Sequence, residues 1–217
     1  MGKRADVVDG TGADALRAGM VYTRRCGRVD LGHARPDGAR MLWSRVRDER
    51  GMTEPGSPSH VVLLLQSMEG FGFRVATGSR FWVQKNLPLA TKERVALGIY
   101  MRVSEKFEGL QLSWPFRWVT DSGFSAEDLV SNLIGFYRAV RPGPNYISMC
   151  EPVSKTEALS IWDRFGSPGV HKNHFATPFL FHRGGPECAP LPPFLAKIQL
   201  EPPGVHYGPA GDARRHE

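Results

Sequence analysis

Fourteen consecutive residues, Tyr22 to Arg35, hold one aspartate, one histidine and four arginines, an unusual density of side chains able to do chemistry. A histidine oriented by a carboxylate is the usual proton-transfer pair near neutral pH, and an arginine beside it binds an anion or a developing oxyanion. Asp30, His33 and Arg35 supply those three types, and Tyr22 opens the segment as a candidate substrate contact. In a regular strand Asp30 would face away from His33 and Arg35. Gly27 and Gly32 permit bends that bring the side chains back to one pocket. The competing reading is a purely structural His–Asp pair. Cys26, in the same positively charged stretch, is a further candidate as a nucleophile activated by His33.

A distant carboxylate belongs to the same set. On a helix advancing about 100° per residue from Val95, the apolar residues Val95, Ala96, Ile99, Tyr100, Val103 and Phe107 form one stripe. Glu108 falls at about 220°, between Leu97 and Met101. A carboxylate there must be paired or hydrogen-bonded in a cleft, which suits a general acid or base; the alternative is a helix-end glutamate beside Gly109. Gly98 falls on the opposite, charged face. Asn132, at the edge of a stripe made by Leu129, Leu133, Phe136 and Val140, is a third candidate substrate contact. Ser125 and Asp128 read as a helix cap. His171, His174 and His182 are the weak metal alternative, because their spacing matches no common ligand pattern.

The elements that must position these residues follow from periodicity. A short helix over 12–18 leads into a strand at Met20–Thr23, and extended chain resumes at Val29–Leu31. Asp37–Arg50 has helical spacing, with Met41, Leu42, Arg45 and Val46 on one side. The apolar run Val61–Leu65 predicts a central strand buried on both faces. Strands at Phe71–Ala76 and Phe81–Gln84, joined by a turn at Thr77–Gly78, complete an antiparallel meander. Helices are predicted over about 91–111, 125–140 and 154–165. Twelve of the seventeen prolines lie between 142 and 209, which predicts a wrapping C-terminal segment of loops and extended chain. The expectation is an α+β fold, an antiparallel sheet packed with three or more helices. At 217 residues one domain is the default, with a core over about 12–200 and a disordered tail from about 208.

Composition sets outer bounds. No apolar run reaches the roughly 18 residues of a membrane span. The N-terminal residues show neither a signal-peptide h-region nor a myristoylation pattern, and three cysteines do not make a disulfide framework. A cytoplasmic protein with free thiols is therefore expected. The net charge is +6, and the first fifty residues carry +4 of it, from eleven Lys and Arg against seven Asp and Glu. That charge suits a small anionic substrate or, alternatively, a nucleic-acid surface, although no nucleic-acid-binding motif accompanies it. No Walker loop, dinucleotide fingerprint or G-x-S-x-G elbow is present, so neither a redox cofactor nor a serine hydrolase is expected.

The segment Tyr22–Arg35 resembles the opening motif of an uncharacterised bacterial domain-of-unknown-function family, Y-T-x-x-x-G-F-x-D-x-A-H-x-R. A second stretch, Phe124-Ser125-Ala126-Glu127-Asp128-Leu129-Val130-Ser131-Asn132-Leu133-Ile134-Gly135, resembles that family's F-S-x-E-D-L-x-S-N-L-x-G. The resemblance covers roughly residues 20–140. It implies matched positions at Asp30, His33, Arg35 and Asn132, and it pairs Phe107-Glu108 with a His-Glu pair on the family's long helix. Glutamate is kept there and histidine is not, while Arg28 stands where the pattern has an aromatic. The resemblance thus implies a carboxylate for proton transfer without the family's metal ligand set. The expected function is an enzyme using acid–base chemistry (a hydrolase, lyase or cyclase) on a small anionic molecule, with Glu108, His33 and Asp30 catalytic and Arg35, Tyr22 and Asn132 binding. The alternative is a non-catalytic protein whose basic N-terminal third contacts nucleic acid or a protein partner.

Overall fold

The computed structural model describes residues 3–70, 73–112, 128–167 and 191–210, with side chains described for all of these except 65–70, 73–77, 105, 107–112 and 128. The fold is α+β, with a two-stranded and a three-stranded antiparallel sheet and helices beside them. The chain divides into two compact units, Met1–Pro36 with Glu105–Ile198 and Asp37–Ser104 with Gln199–Glu217. Among the described residues no helix is long and apolar enough to cross a membrane.

In the first unit, β1 (Met20–Thr23) and β2 (Gly27–Asp30) form a hairpin in which Met20 pairs with Asp30 and Thr23 with Gly27. The Thr23 hydroxyl ties the turn, accepting from the Cys26 amide at 3.0 Å and donating to the Gly27 carbonyl at 2.8 Å. Residues 150–153 run along the other edge of β1, where the amides of Val153, Arg24 and Arg25 donate to the carbonyls of Tyr22, Glu151 and Cys150. Cys26 and Cys150 are joined by a disulfide and are both buried, which corrects the expectation of free thiols. Cys26 therefore has no thiol to offer as a nucleophile. The expected helix over 12–18 shrinks to one 3-10 turn at Ala13–Ala15.

Val7, Met20, Tyr22, Val153 and Ala158 make the core beneath β1, and Leu159, Ile161, Trp162 and Phe165 pack on it. The last four lie on α5 (Lys155–Phe165), which starts where Ser154 caps the Glu157 amide. Helix α3 (Asp128–Val140) packs on β2 and is buried along most of its length. The short helices α4 (Tyr146–Met149) and α6 (Pro193–Ala196) meet through Tyr146 and Phe194, whose rings sit edge to face at 5.1 Å. The proposed Ser125–Asp128 cap lies outside the described residues.

The second unit begins with α1 (Asp37–Arg47), whose core face is Ala39, Leu42, Trp43 and Val46 at i, i+3, i+4 and i+7. Met41, expected on that face, is 55% exposed. Strand β3 (Ser59–Gly70) pairs with β4 (Phe73–Gln84) over its whole length. The two strands expected within 71–84 are thus one, and Thr77–Gly78 is no turn but pairs with Gln66 and Leu65. His60, Val62 and Leu64 are buried while Val61 and Leu63 are only partly so, and over these residues β3 is buried on one face rather than two. Helix α1 covers that strand.

Helix α2 (Leu89–Leu112) is buried on nearly every side from Val95 to Ser104, apart from Arg102. Gly98, expected at the solvent face, meets the C-terminal segment instead: a Cβ there would lie 2.6 Å from the Tyr207 hydroxyl and 2.8 Å from the Glu201 carbonyl. That segment ends in β5 (Tyr207–Pro209) on the edge of β4, so ordered chain runs past the tail boundary expected near 208.

Candidate functional site

The end of β2 turns sharply, and the turn is built by Asp30. One of its carboxylate oxygens accepts the Gly32 amide at 2.7 Å and the His33 amide at 3.4 Å, while the Ala34 amide donates to the Asp30 carbonyl at 2.9 Å. Asp30 thus meets His33 through the backbone. This is the side-chain-to-backbone turn that short acidic residues favour, and it shapes the loop that carries the imidazole. His33 is half-buried and Arg35 is exposed.

Helix α3 clamps this turn with three residues on one face. Ser131 accepts the Asp30 amide on its hydroxyl at 2.9 Å. Gly135, one turn on, lets the backbone of 33–35 approach so closely that a Cβ would lie 2.7 Å from the Arg35 carbonyl oxygen and 2.9 Å from that of His33. Arg138 donates to the Ala34 carbonyl at 3.2 Å and the Asp14 carbonyl at 3.0 Å, and also lies 3.4 Å from the Asp14 carboxylate. Positions i, i+4 and i+7 share one face of a helix, so the spacing is what a clamp requires. The two separated sequence motifs therefore meet in space. Ser131 and Gly135 lie inside the second motif, whereas Arg138 lies beyond it and was not anticipated.

Other expected residues take different places. Tyr22 is 1% exposed and belongs to the core beneath β1. Its ring lies 5.2 Å from the Arg28 guanidinium, which is also 5.9 Å from the Trp162 ring and donates to the Gly166 carbonyl at 2.6 Å. Arg28 is itself 1% exposed, so this member of the basic cluster faces the interior. Nothing in its immediate sequence marks it; alternation along β2 places it on the Tyr22 side only once the hairpin register is known. Asn132 is buried on α3. Glu108 falls within the span of α2, but its side chain lies outside the described residues, as do His171, His174 and His182. Among the described residues no group of three His, Cys, Asp or Glu side chains is disposed to hold a metal ion.

Sequence reading also missed an imidazole–carboxylate contact in the other unit. His206 lies 3.5 Å from Glu201 through one ring nitrogen and 2.9 Å from the Gln84 side-chain oxygen through the other, and Glu201 also accepts from Arg94 at 3.2 Å. With both ring nitrogens engaged, this histidine fastens the C-terminal segment to β4 rather than presenting a reactive atom. No protein-family model, curated protein or solved structure matches the chain.

Proposed function

We propose that the chain is an enzyme using acid–base chemistry, a hydrolase, lyase or cyclase, on a small anionic molecule, with His33 transferring the proton, Arg35 binding the anion and Glu108 serving as the second proton-transfer group. The observation that carries this reading is the way the Asp30–Arg35 turn is held. Its backbone is tied to Gly19 through the Leu31 amide, to Ser131 and to Arg138, and pressed on Gly135, while Arg35 remains exposed. Reactive groups on a backbone fixed from several sides are preorganised, which is where catalytic power resides. Asp30 keeps a place in this reading as the residue that shapes the turn. The likeness of the two motifs to a domain-of-unknown-function family is part of the proposal.

The competing nucleic-acid reading is weakened by charge pairing. Arg4, Arg24, Arg25, Arg47 and Arg50 each lie within 4 Å of a carboxylate, from Asp163, Glu157, Glu151 or Asp48. Asp163, Glu157 and Glu151 lie beyond the first fifty residues, so their pairs offset part of the N-terminal excess, whereas Asp48 is already counted in it. A cytoplasmic location, expected from the cysteine count, is disfavoured by the Cys26–Cys150 bond, because buried disulfides of this kind belong to oxidising compartments.

The test is a hydrolysis and lyase screen of the full chain against small phosphate, sulfate and carboxylate esters and lactones, repeated with His33→Gln, Arg35→Met and Glu108→Gln. General acid–base catalysis is worth about 10²–10⁴ in rate, so the first and third variants are expected to lose at least about a hundredfold in kcat, and Arg35→Met to raise KM. Turnover indifferent to His33→Gln and Glu108→Gln would refute the assignment. Nonspecific DNA affinity that falls steeply with salt would favour the binding reading.

A further inference from the structure

A titratable side chain occupies a core position at the start of β3. His60 is 1% exposed, stands opposite Val83 in the β3–β4 register, and shares the inward face with Val62 and Leu64. Among the described residues no group meets hydrogen-bond geometry at either of its ring nitrogens. The chain that follows α1 closes over it: a Cβ on Gly51 would lie 3.4 Å from the ring, and Met52 exchanges backbone hydrogen bonds with Val61 at 3.1 and 2.7 Å.

The charges around His60 leave little to receive a proton's charge. From the turn after α1, Glu49 is, among the described residues, the carboxylate acting on it, and that group is engaged by the Lys92 ammonium at 2.8 Å and by the Asn86 amide at 2.6 Å. Lys92 from α2 and Lys85 from the end of β4 both oppose protonation. Lys85 is held in place by Thr53 and the Ser57 carbonyl, at 2.8 and 3.0 Å. The Arg45 carbonyl of α1 favours the charged form without reaching bonding geometry, and the Arg45 guanidinium is bound to the Leu63 carbonyl at 2.5 Å.

We infer that His60 is an acid-operated release within the second unit: taking up a proton, it loosens the packing of the 49–52 turn on β3 and opens the Met52–Val61 pairing. The cost arises because an imidazolium at this place is desolvated, lacks a bonded partner among the described residues and is opposed by the charges of Lys85 and Lys92. Burial accordingly lowers the His60 pKa, and Glu49 and the Arg45 carbonyl offset only part of that. The sign follows from linkage. Above the ordinary histidine value of about 6.5 both the closed and open forms are neutral, and stability is full. As pH falls below it the open form binds the proton first, and the closed form loses ground until its own, lower pKa is passed. The inference does not rest on the reading of the Asp30–Arg35 turn.

Two measurements on the full chain test it. The first is amide hydrogen exchange at Met52 and Val61, corrected for intrinsic rates, at pH 7.5 and pH 5. Each pH unit inside the window changes the opening equilibrium by up to about tenfold, so between about pH 6.5 and pH 5 protection there is expected to fall, by up to about thirtyfold, in the wild type and to stay level in His60→Leu. The second, independent of whether that variant folds, is an NMR titration of the His60 ring in the wild type, with a midpoint expected below the ordinary histidine value. A midpoint at or above that value, or an equal loss of protection in a folded His60→Leu, overturns the inference.

Discussion

Gly135→Ala is the sharpest perturbation of the clamp on the Asp30–Arg35 turn. The new methyl would lie 2.7 Å from the Arg35 carbonyl oxygen, 2.9 Å from that of His33 and 3.2 Å from the Ala34 carbonyl carbon, all of them backbone atoms that cannot rotate away. Carbon–oxygen contacts are comfortable from about 3.3 Å, so the turn or the helix must retreat by about half an ångström. Overpacking of that kind costs about 1–3 kcal/mol. Against it stands the helix propensity of alanine over glycine, about 1 kcal/mol. The net expectation is a loss of up to about 2 kcal/mol, together with displacement of the His33 and Arg35 backbone. Denaturant unfolding measures the first and the amide shifts of residues 33–35 measure the second. A variant stabilised by about 1 kcal/mol, with those shifts unchanged, would refute the close approach of α3 to the turn and with it the preorganisation on which the proposed function rests.

Further outcomes follow from other contacts. Thiol titration of denatured, unreduced protein should find at most one free thiol per chain, because Cys26 and Cys150 are bonded and the sequence has three cysteines; three would contradict the disulfide. Replacing both with serine should cost about 2–5 kcal/mol, read as a shift in the urea midpoint. Arg28→Ala removes a guanidinium that faces two aromatic rings and bonds the Gly166 carbonyl. It should cost at least about 2 kcal/mol, whereas an exposed arginine such as Arg40 should change stability by less than about 0.5 kcal/mol on the same measurement. Gly98→Ala should drive the Tyr207 hydroxyl and the Glu201 carbonyl off α2, seen as faster hydrogen exchange in β5 with β3 unaffected.

Local pattern alone carried a good part of the fold. The spans of α1, α2 and α5 and the strand at Met20–Thr23 were legible because each depends on periodicity within one stretch of chain. So was the density of Asp30, His33 and Arg35. What could not be read locally concerns residues whose partners lie far along the sequence. Cys26 finds Cys150 across 124 positions. Gly98 is covered because the 201–207 segment returns to it.

The same limit explains the misplaced faces. An apolar run such as Val61–Leu65 looks alike whether one side or both are covered, and only pairing with β4 under α1 decides that His60, Val62 and Leu64 turn inward. Trp43 replaces Met41 at the core, because packing on β3 and not the helix alone selects the buried face. Arg28 looks like its neighbours Arg24 and Arg25, yet the hairpin sends it inward between Tyr22 and Trp162 while they meet Glu157 and Glu151 outside. Sequence by itself thus determined which residues could do chemistry and which stretches would be helix or strand, since those properties are local. Tertiary structure decided which of those residues face solvent, which serve the backbone and which are locked in the core, since burial and pairing are set by chain that arrives from elsewhere.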